Sequence, residues 1–277
     1  MRFQHSATVV TREVSGETVA VPPAASPLSL SIGNVPLSLY IPFCGPADDT
    51  LRERAVGRYA EFHSQSSQGL SIYFRPRPAA KMGPVVFTYD LGHASIVLRT
   101  RGAEFLGVRN EYDLDSLLRV LLSMVLLQQD GFLLHAATIV RDGKAYVFAG
   151  RSGAGKSTAS ALSPAGSVLT DEISLLRRYD GQWFAHGTPF WGEFHAGGRN
   201  ERYPLSGVYA LQQALEDRTE PLSTKEAFRA LLRCVLFFAR EQRPSETLLT
   251  ILGGLTAQVP CRRLHFRRSA EFWKVIP

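Results

Sequence analysis

Residues 150–157 read GRSGAGKS and satisfy the pattern G-x-x-x-x-G-K-[S/T] at every position. Each residue type in that pattern has a physical task. Gly150, Ser152, Gly153, Ala154 and Gly155 are small, so their backbone N–H groups can close around phosphate oxygens. Lys156 carries the charge that meets the β- and γ-phosphates, and the Ser157 hydroxyl is an oxygen ligand for Mg²⁺. Thr158 continues the loop into a helix whose positive end adds to the anion site. A second pair follows shortly, Asp171 and Glu172 in the run LTDE. One carboxylate beside a phosphate loop can hold the metal, directly or through water, while the other takes a proton from an attacking hydroxyl. Asp171 is the first choice as base, with Lys156 as the charge on the transferring group and Ser157 with Glu172 as metal ligands. The cofactors implied are ATP and Mg²⁺.

Elements must bring these residues together. The segment before the loop, GFLLHAATIVRDGKAYVFAG, holds Asp142-Gly143 between two β-rich runs, the strongest short hairpin signal, since both turn residues tolerate positive φ. With that two-residue turn, Arg141 pairs with Lys144, and the register carried outward sets His135 opposite Gly150. An imidazole thereby arrives at the mouth of the phosphate loop and joins the catalytic candidates, to orient or assist. After the loop there is room for one short helix, ended by Pro164-Ala165-Gly166, and a strand through Val168 and Leu169 that returns the chain to the phosphates.

Residues 1–110 are read as a β-rich domain, from short alternating runs bounded by Gly and Pro. One helix interrupts it, DDTLRERAVGRYAEFHS, with Leu51, Ala55, Val56, Tyr59 and Phe62 on its inner face. Residues 111–130 form a connecting helix capped by Asp113 or Asp115, and 131–277 hold the phosphate-loop domain. Toward the end, Ser223 and Glu226 make a capping box for a helix through TKEAFRALLRCVLFFARE, burying Leu231, Leu232, Val235 and Phe238. A further helix follows Pro244-Ser245, and CRRLHF is a last strand in which His265 is structural.

LLHAATI, the Asp-Gly hairpin, GRSGAGKST and LTDE resemble, in order and spacing, the catalytic domain of the HPr kinase/phosphorylase family. They are more similar still to its divergent HPr-kinase-like relatives, some encoded with systems that modify ribosomal peptides and phosphorylate a peptide serine. The resemblance covers roughly 131–266 and implies a mixed-sheet α/β fold related to the ATP-dependent phosphoenolpyruvate carboxykinases, with a homo-oligomer as the family's habit. It matches His135 to the family's histidine and Asp171 with Glu172 to its acidic pair. Two departures stand out: Glu172 replaces an aspartate, and the segment E-x-R-G-x-G is missing, which sets HPr itself and the phosphorolytic reaction aside. In its place AHGTPFWGEFHAGGRNERYPL resembles the GTP-x-x-GE stretch of the relatives, bringing Glu193 as a second metal ligand; Arg199 is either a phosphate clamp or, the preferred reading, one half of a surface salt bridge.

Composition bounds the rest. The 277 residues carry a net charge of +6. The basic clusters at 75–81, 177–178 and 261–268 do not share one helix or interleave with aromatics, so no nucleic acid partner is expected. No apolar run approaches the roughly 20 residues of a membrane span. The first residues lack a secretory apolar core, so a cytoplasmic location is expected. Cys44, Cys234 and Cys261 form no CxxC pair and read as incidental thiols. The expected activity is transfer of the γ-phosphoryl group to a serine hydroxyl of a peptide or small protein, the β-rich domain offering an edge for an extended chain. A kinase of a small metabolite such as free serine and a non-catalytic nucleotide-binding module remain open beside it.

Overall fold

The computed structural model describes residues 26–41, 46–66, 68–75, 77–78, 82–190 and 198–277. Two mixed sheets and the helices that cover them make an α/β fold. The first sheet begins with a hairpin of β1 (Leu28–Ile32) and β2 (Val35–Tyr40). Helix α1 (Pro46–Arg58) then crosses to β3 (Leu70–Arg75), parallel to β2, and β4 (Val85–Asp90), β5 (Ser95–Arg99) and β6 (Gly102–Leu106) complete the order β1-β2-β3-β6-β5-β4. Leu28, Leu30 and Ile32 alternate inward at period two, and Leu51, Ala55, Tyr59 and Phe62 cover them at helical spacing. Val56, expected on that inner face, is 38% exposed.

Helix α2 (Glu111–Val125) touches β5 of the first sheet and leads into the second. Its cap is neither Asp113 nor Asp115. Asn110 accepts from the Tyr112 and Asp113 amides, one turn earlier than expected, its extended backbone placing its side chain over the helix start. The two aspartates lie inside the helix and are spent on tertiary contacts instead. Asp113 lies 2.7 Å from the His93 ring nitrogen while its other oxygen accepts from the nearby Arg109 amide, and Asp115 accepts from the Arg58 guanidinium and, at 2.5 Å, from the Tyr59 hydroxyl. An apolar cluster runs from β1 and β2 through Leu114, Leu117, Leu118 and Leu121 to Leu133, Ile173, Leu175 and Phe190, so α2 is packed on both sides.

The second sheet is built on β7 (Gly131–Arg141) and β8 (Lys144–Ala149). Asp142 and Gly143 adopt φ of 52° and 71°, and the ladder runs from Arg141↔Lys144 to Ala136↔Ala149, the register expected from the turn. Then come α3 (Lys156–Ala161), β9 (Val168–Thr170), β10 (Ile173–Tyr179), β11 (Gln182–His186), β12 (Arg202–Gln213) and β13 (Arg218–Pro221). Helix α4 (Thr224–Leu232), β14 (Val235–Leu236), α5 (Gln242–Gln258) and β15 (Cys261–Phe266) follow. The path β11-β10-β7-β8-β12-β15-β13 is closed on itself by a β11–β12 pairing.

The Ser223–Glu226 capping box forms, yet α4 stops at Leu232, which is 40% exposed, rather than running on through Val235 and Phe238. Val235 and Leu236 instead pair with Leu134 and Leu133 of β7. A β-branched residue inside an apolar run fits an open strand edge better than a further helical turn. Strand β15 forms as expected, and the buried His265 lies 3.2 Å from Glu220, a structural partner. Among the described residues, no helix is long and apolar enough to cross a membrane.

Candidate active site

The phosphate loop joins β8 to α3, the strand-to-helix setting the motif requires. Gly155 ends it at φ 108°, and a Cβ there would stand 2.8 Å from the ring of Phe266, so backbone geometry and close approach both demand glycine. Lys156 is buried, with its ammonium turned back onto the loop to donate to the Gly150 and Arg151 carbonyls at 3.1 and 3.3 Å. Ser157 and Thr158 open α3, a six-residue helix whose own dipole is small. A helix this short is held by packing: Ala159 and Leu162 sit against Phe148, Phe266 and Phe272, and the Trp273 indole donates to Ser163 at 3.1 Å. Ser152 and Gly153 are exposed at the loop's crest, where Gln213 holds the Gly153 carbonyl at 2.7 Å.

His135 lies one residue beyond the Ala136↔Ala149 pair, where β7 exchanges β8 for the β14 segment on one side and β9 for β10 on the other. On β10 it faces Ile173, and its amide donates to the Cys234 carbonyl at 2.7 Å. The next amide, of Ala136, donates to the Glu172 backbone carbonyl at 3.0 Å, which pins the acidic turn beside the histidine. That turn is fixed from within: the buried hydroxyls of Thr170 and Thr188 both donate to the Ile173 carbonyl, at 3.0 and 2.7 Å. Asp171 is buried and Glu172 half-buried at its apex.

Electrostatics ties the group together. Burial, reinforced by the charges of Lys156 and Arg119, holds His135 below the usual imidazole range, so it is neutral at pH 7. Burial pushes Glu172 up; Arg119 and Lys156 oppose that rise, and Asp171 and Asp115 add to it. His135, Lys156, Asp171 and Glu172 therefore lie within reach of one another's charges. The two carboxyl groups, adjacent in sequence and one raised partly by the other, are oxygen donors of the kind a hard cation takes. Mg²⁺ is ordinarily held by one or two carboxylates with phosphates and water filling the rest, and Ser157, Asp171 and Glu172 fit that demand. Among the described residues, no three His, Cys, Asp or Glu side chains gather into a group that could hold a metal ion by themselves.

Arg119 is the residue sequence reasoning missed. It projects from α2 so that Nη2 lies 3.6 Å from Glu172 Oε2 and its guanidinium carbon 5.1 Å from the centre of the buried Phe190 ring. Its signal was a lone cation in the apolar run SLLRVLL. Arg199 does reach the neighbourhood through its backbone, whose amide donates to Leu169 at 3.3 Å, but its side chain pairs with Glu201 at 3.3 Å in the surface salt bridge favoured above. Glu193 and its expected turn lie outside the described residues.

Residues 113–277 match the family described as SynChlorMet cassette protein ScmC. The match spans more than half of the chain, which belongs to that family. No curated protein matches it. Among solved structures it is similar to the HPr(Ser) kinase/phosphatase from Coxiella burnetii, at 12% identity over 43% of this chain and 86% of that one, with a TM-score of 0.25. A likeness that slight carries no argument here.

Proposed function

We propose that this member of the SynChlorMet cassette protein ScmC family is an ATP-dependent kinase that transfers the γ-phosphoryl group to a serine hydroxyl of a peptide or small protein. The observation that carries the reading is the convergence of a complete phosphate loop, a buried lysine and an acidic turn with a histidine held neutral. Each is a part that phosphoryl transfer uses, and their combination exceeds what phosphate binding alone would need.

In the proposed reaction the loop amides and Lys156 hold the β- and γ-phosphates, Lys156 leaving its carbonyl partners for the phosphate. Ser157 and Glu172 would hold Mg²⁺, which supplies neutralising charge on the triphosphate. Asp171 accepts the acceptor hydroxyl's proton as the new O–P bond forms and the bond from the γ-phosphorus to the bridging oxygen breaks, releasing ADP. His135, uncharged, hydrogen-bonds the same hydroxyl and orients it. Arg119 keeps Glu172 ionised against its burial. Most of the rate gain comes from positioning and fixed charge.

A macromolecular acceptor is favoured by the first sheet, whose edge strand β4 offers main-chain groups to an extended peptide, whereas the outer edge of β1 is already met by His63 and Ser64. A family named for a cassette suggests an acceptor encoded beside its kinase. The test is mass spectrometry of the protein with Mg-ATP and, separately, cassette-encoded peptides, HPr and free serine, with Asp171→Asn as control. Gain of one phosphoryl group on a peptide serine, lost in the control, is expected. Phosphoserine made from free serine would replace the peptide reading with the metabolite one, and nucleotide binding without any product would replace both with a regulatory module.

A further inference from the structure

A cavity of about 300 Å³ opens beside the phosphate loop, lined by Gly155, Thr158, Leu215, Phe266, Arg267 and Arg268 and completed by Gln213 and Ala214. None of His135, Asp171 or Glu172 borders it. The loop therefore has two sides: the acidic turn and histidine on one, an empty recess on the other. The recess is braced in place. Gln213 holds the Gly153 carbonyl at 2.7 Å, the Ala214 amide donates to Phe266 at 3.1 Å, and Asp217 accepts from the Arg267 amide and Nε at 2.9 and 3.2 Å. Two loops, 214–217 after β12 and 267–269 after β15, are thus tied to each other and to the phosphate loop before any ligand arrives.

Its lip carries Leu215, 93% exposed, an apolar side chain held out in water next to two arginines. An apolar side chain at the rim of a basic recess suits a flat, partly apolar ligand. Guanidinium planes suit the same ligand, since they stack on rings and meet phosphate oxygens. Gly155 on the inner wall belongs to the part of the motif whose amides face the α- and β-phosphates, and Thr158 follows the motif directly.

We infer that this recess is the nucleoside site: the base of a nucleoside triphosphate lies between Leu215 and the Arg267–Arg268 segment, with the triphosphate crossing the loop toward Lys156. The inference rests on the proposed nucleotide-dependent function and adds where the donor's base is read.

Calorimetric titration of the full chain with Mg²⁺ and either a non-hydrolysable ATP analogue or inorganic tripolyphosphate separates the two readings. Leu215→Ser and Ala214→Trp, both outside the catalytic machinery, should weaken the analogue roughly 10-fold, equivalent to about 1.4 kcal/mol, and leave tripolyphosphate affinity unchanged. Analogue affinity equal to wild type in Leu215→Ser, with tripolyphosphate still bound, would overturn the nucleoside site and spare the phosphate loop. A wild-type protein that binds neither ligand would overturn the phosphate-loop reading and this inference with it.

Discussion

At the residue scale the site turns on one charge from outside the motif. Arg119 stands 3.6 Å from Glu172, whose carboxyl burial pushes up. Without that guanidinium the upward influences on Glu172 are less opposed, so it takes its proton at higher pH, which under the proposed function costs the site a metal ligand. The acidic limb of kcat/KM should therefore move to higher pH in Arg119→Met and stay near wild type in Arg119→Lys; superimposable profiles for wild type and Arg119→Met would show that the pair does not act on Glu172. His135 makes a second residue-scale case. Its place in the fold depends on its backbone, through Cys234 and the β10 pairing, so His135→Gln should keep the secondary structure and thermal midpoint while kcat falls on the order of 10²-fold. A midpoint that falls in step with kcat would instead make His135 a structural histidine.

At the element scale, what was legible in the sequence was local. Asp142-Gly143 dictates its own turn, and register follows outward from it, so His135 could be carried to the loop from the sequence alone. The Ser223–Glu226 cap is equally local. Arg119 and β14 were illegible for the opposite reason: each finds its partner far along the chain, on Glu172 and on β7, and spacing says nothing of that. The choice of Asn110 over Asp113 was lost because the aspartates are taken by partners on other elements, Asp115 by Arg58 and Tyr59 and Asp113 by His93, which only the fold supplies. Two predictions belong here. Gly155→Ala forces a side chain to φ 108° and against Phe266, which should cost about 1–3 kcal/mol in denaturant stability and abolish nucleotide binding. Asp115→Ala leaves the buried Arg58 and Tyr59 without their shared acceptor and should cost about 3–5 kcal/mol in urea unfolding, far more than an exposed pair such as Lys274–Glu271. Equal losses at the two pairs would contradict the view that α1 is clamped to α2 through that carboxylate.

At the scale of the whole molecule, the closed second sheet buries a histidine that sets an acid limit on stability. His186, at the β11 edge where β10 and β12 meet, is pushed down to about 3, by burial first and then by Arg177 and Arg202. The unfolded chain protonates this imidazole below about pH 6.5 while the folded chain does not, so unfolding becomes easier as pH falls, by about 1.4 kcal/mol per pH unit across that window. His135, also held low, acts in the same direction. Urea midpoints at pH 7.5 and 5.0 should differ less in His186→Gln than in wild type, and an unchanged difference would refute the assignment. Function at this scale rests on one apolar cluster that passes through α2 and lets the first sheet share a core with Ile173 and Leu175, next to the acidic turn. The most direct test of that function is the rate of transfer from γ-labelled ATP to a cassette-encoded serine peptide, comparing wild type with Lys156→Ala at matched stability. Label on the serine in wild type, slowed on the order of 10²–10³-fold without the lysine, is the predicted result. Transfer at equal rates in both proteins would contradict the account.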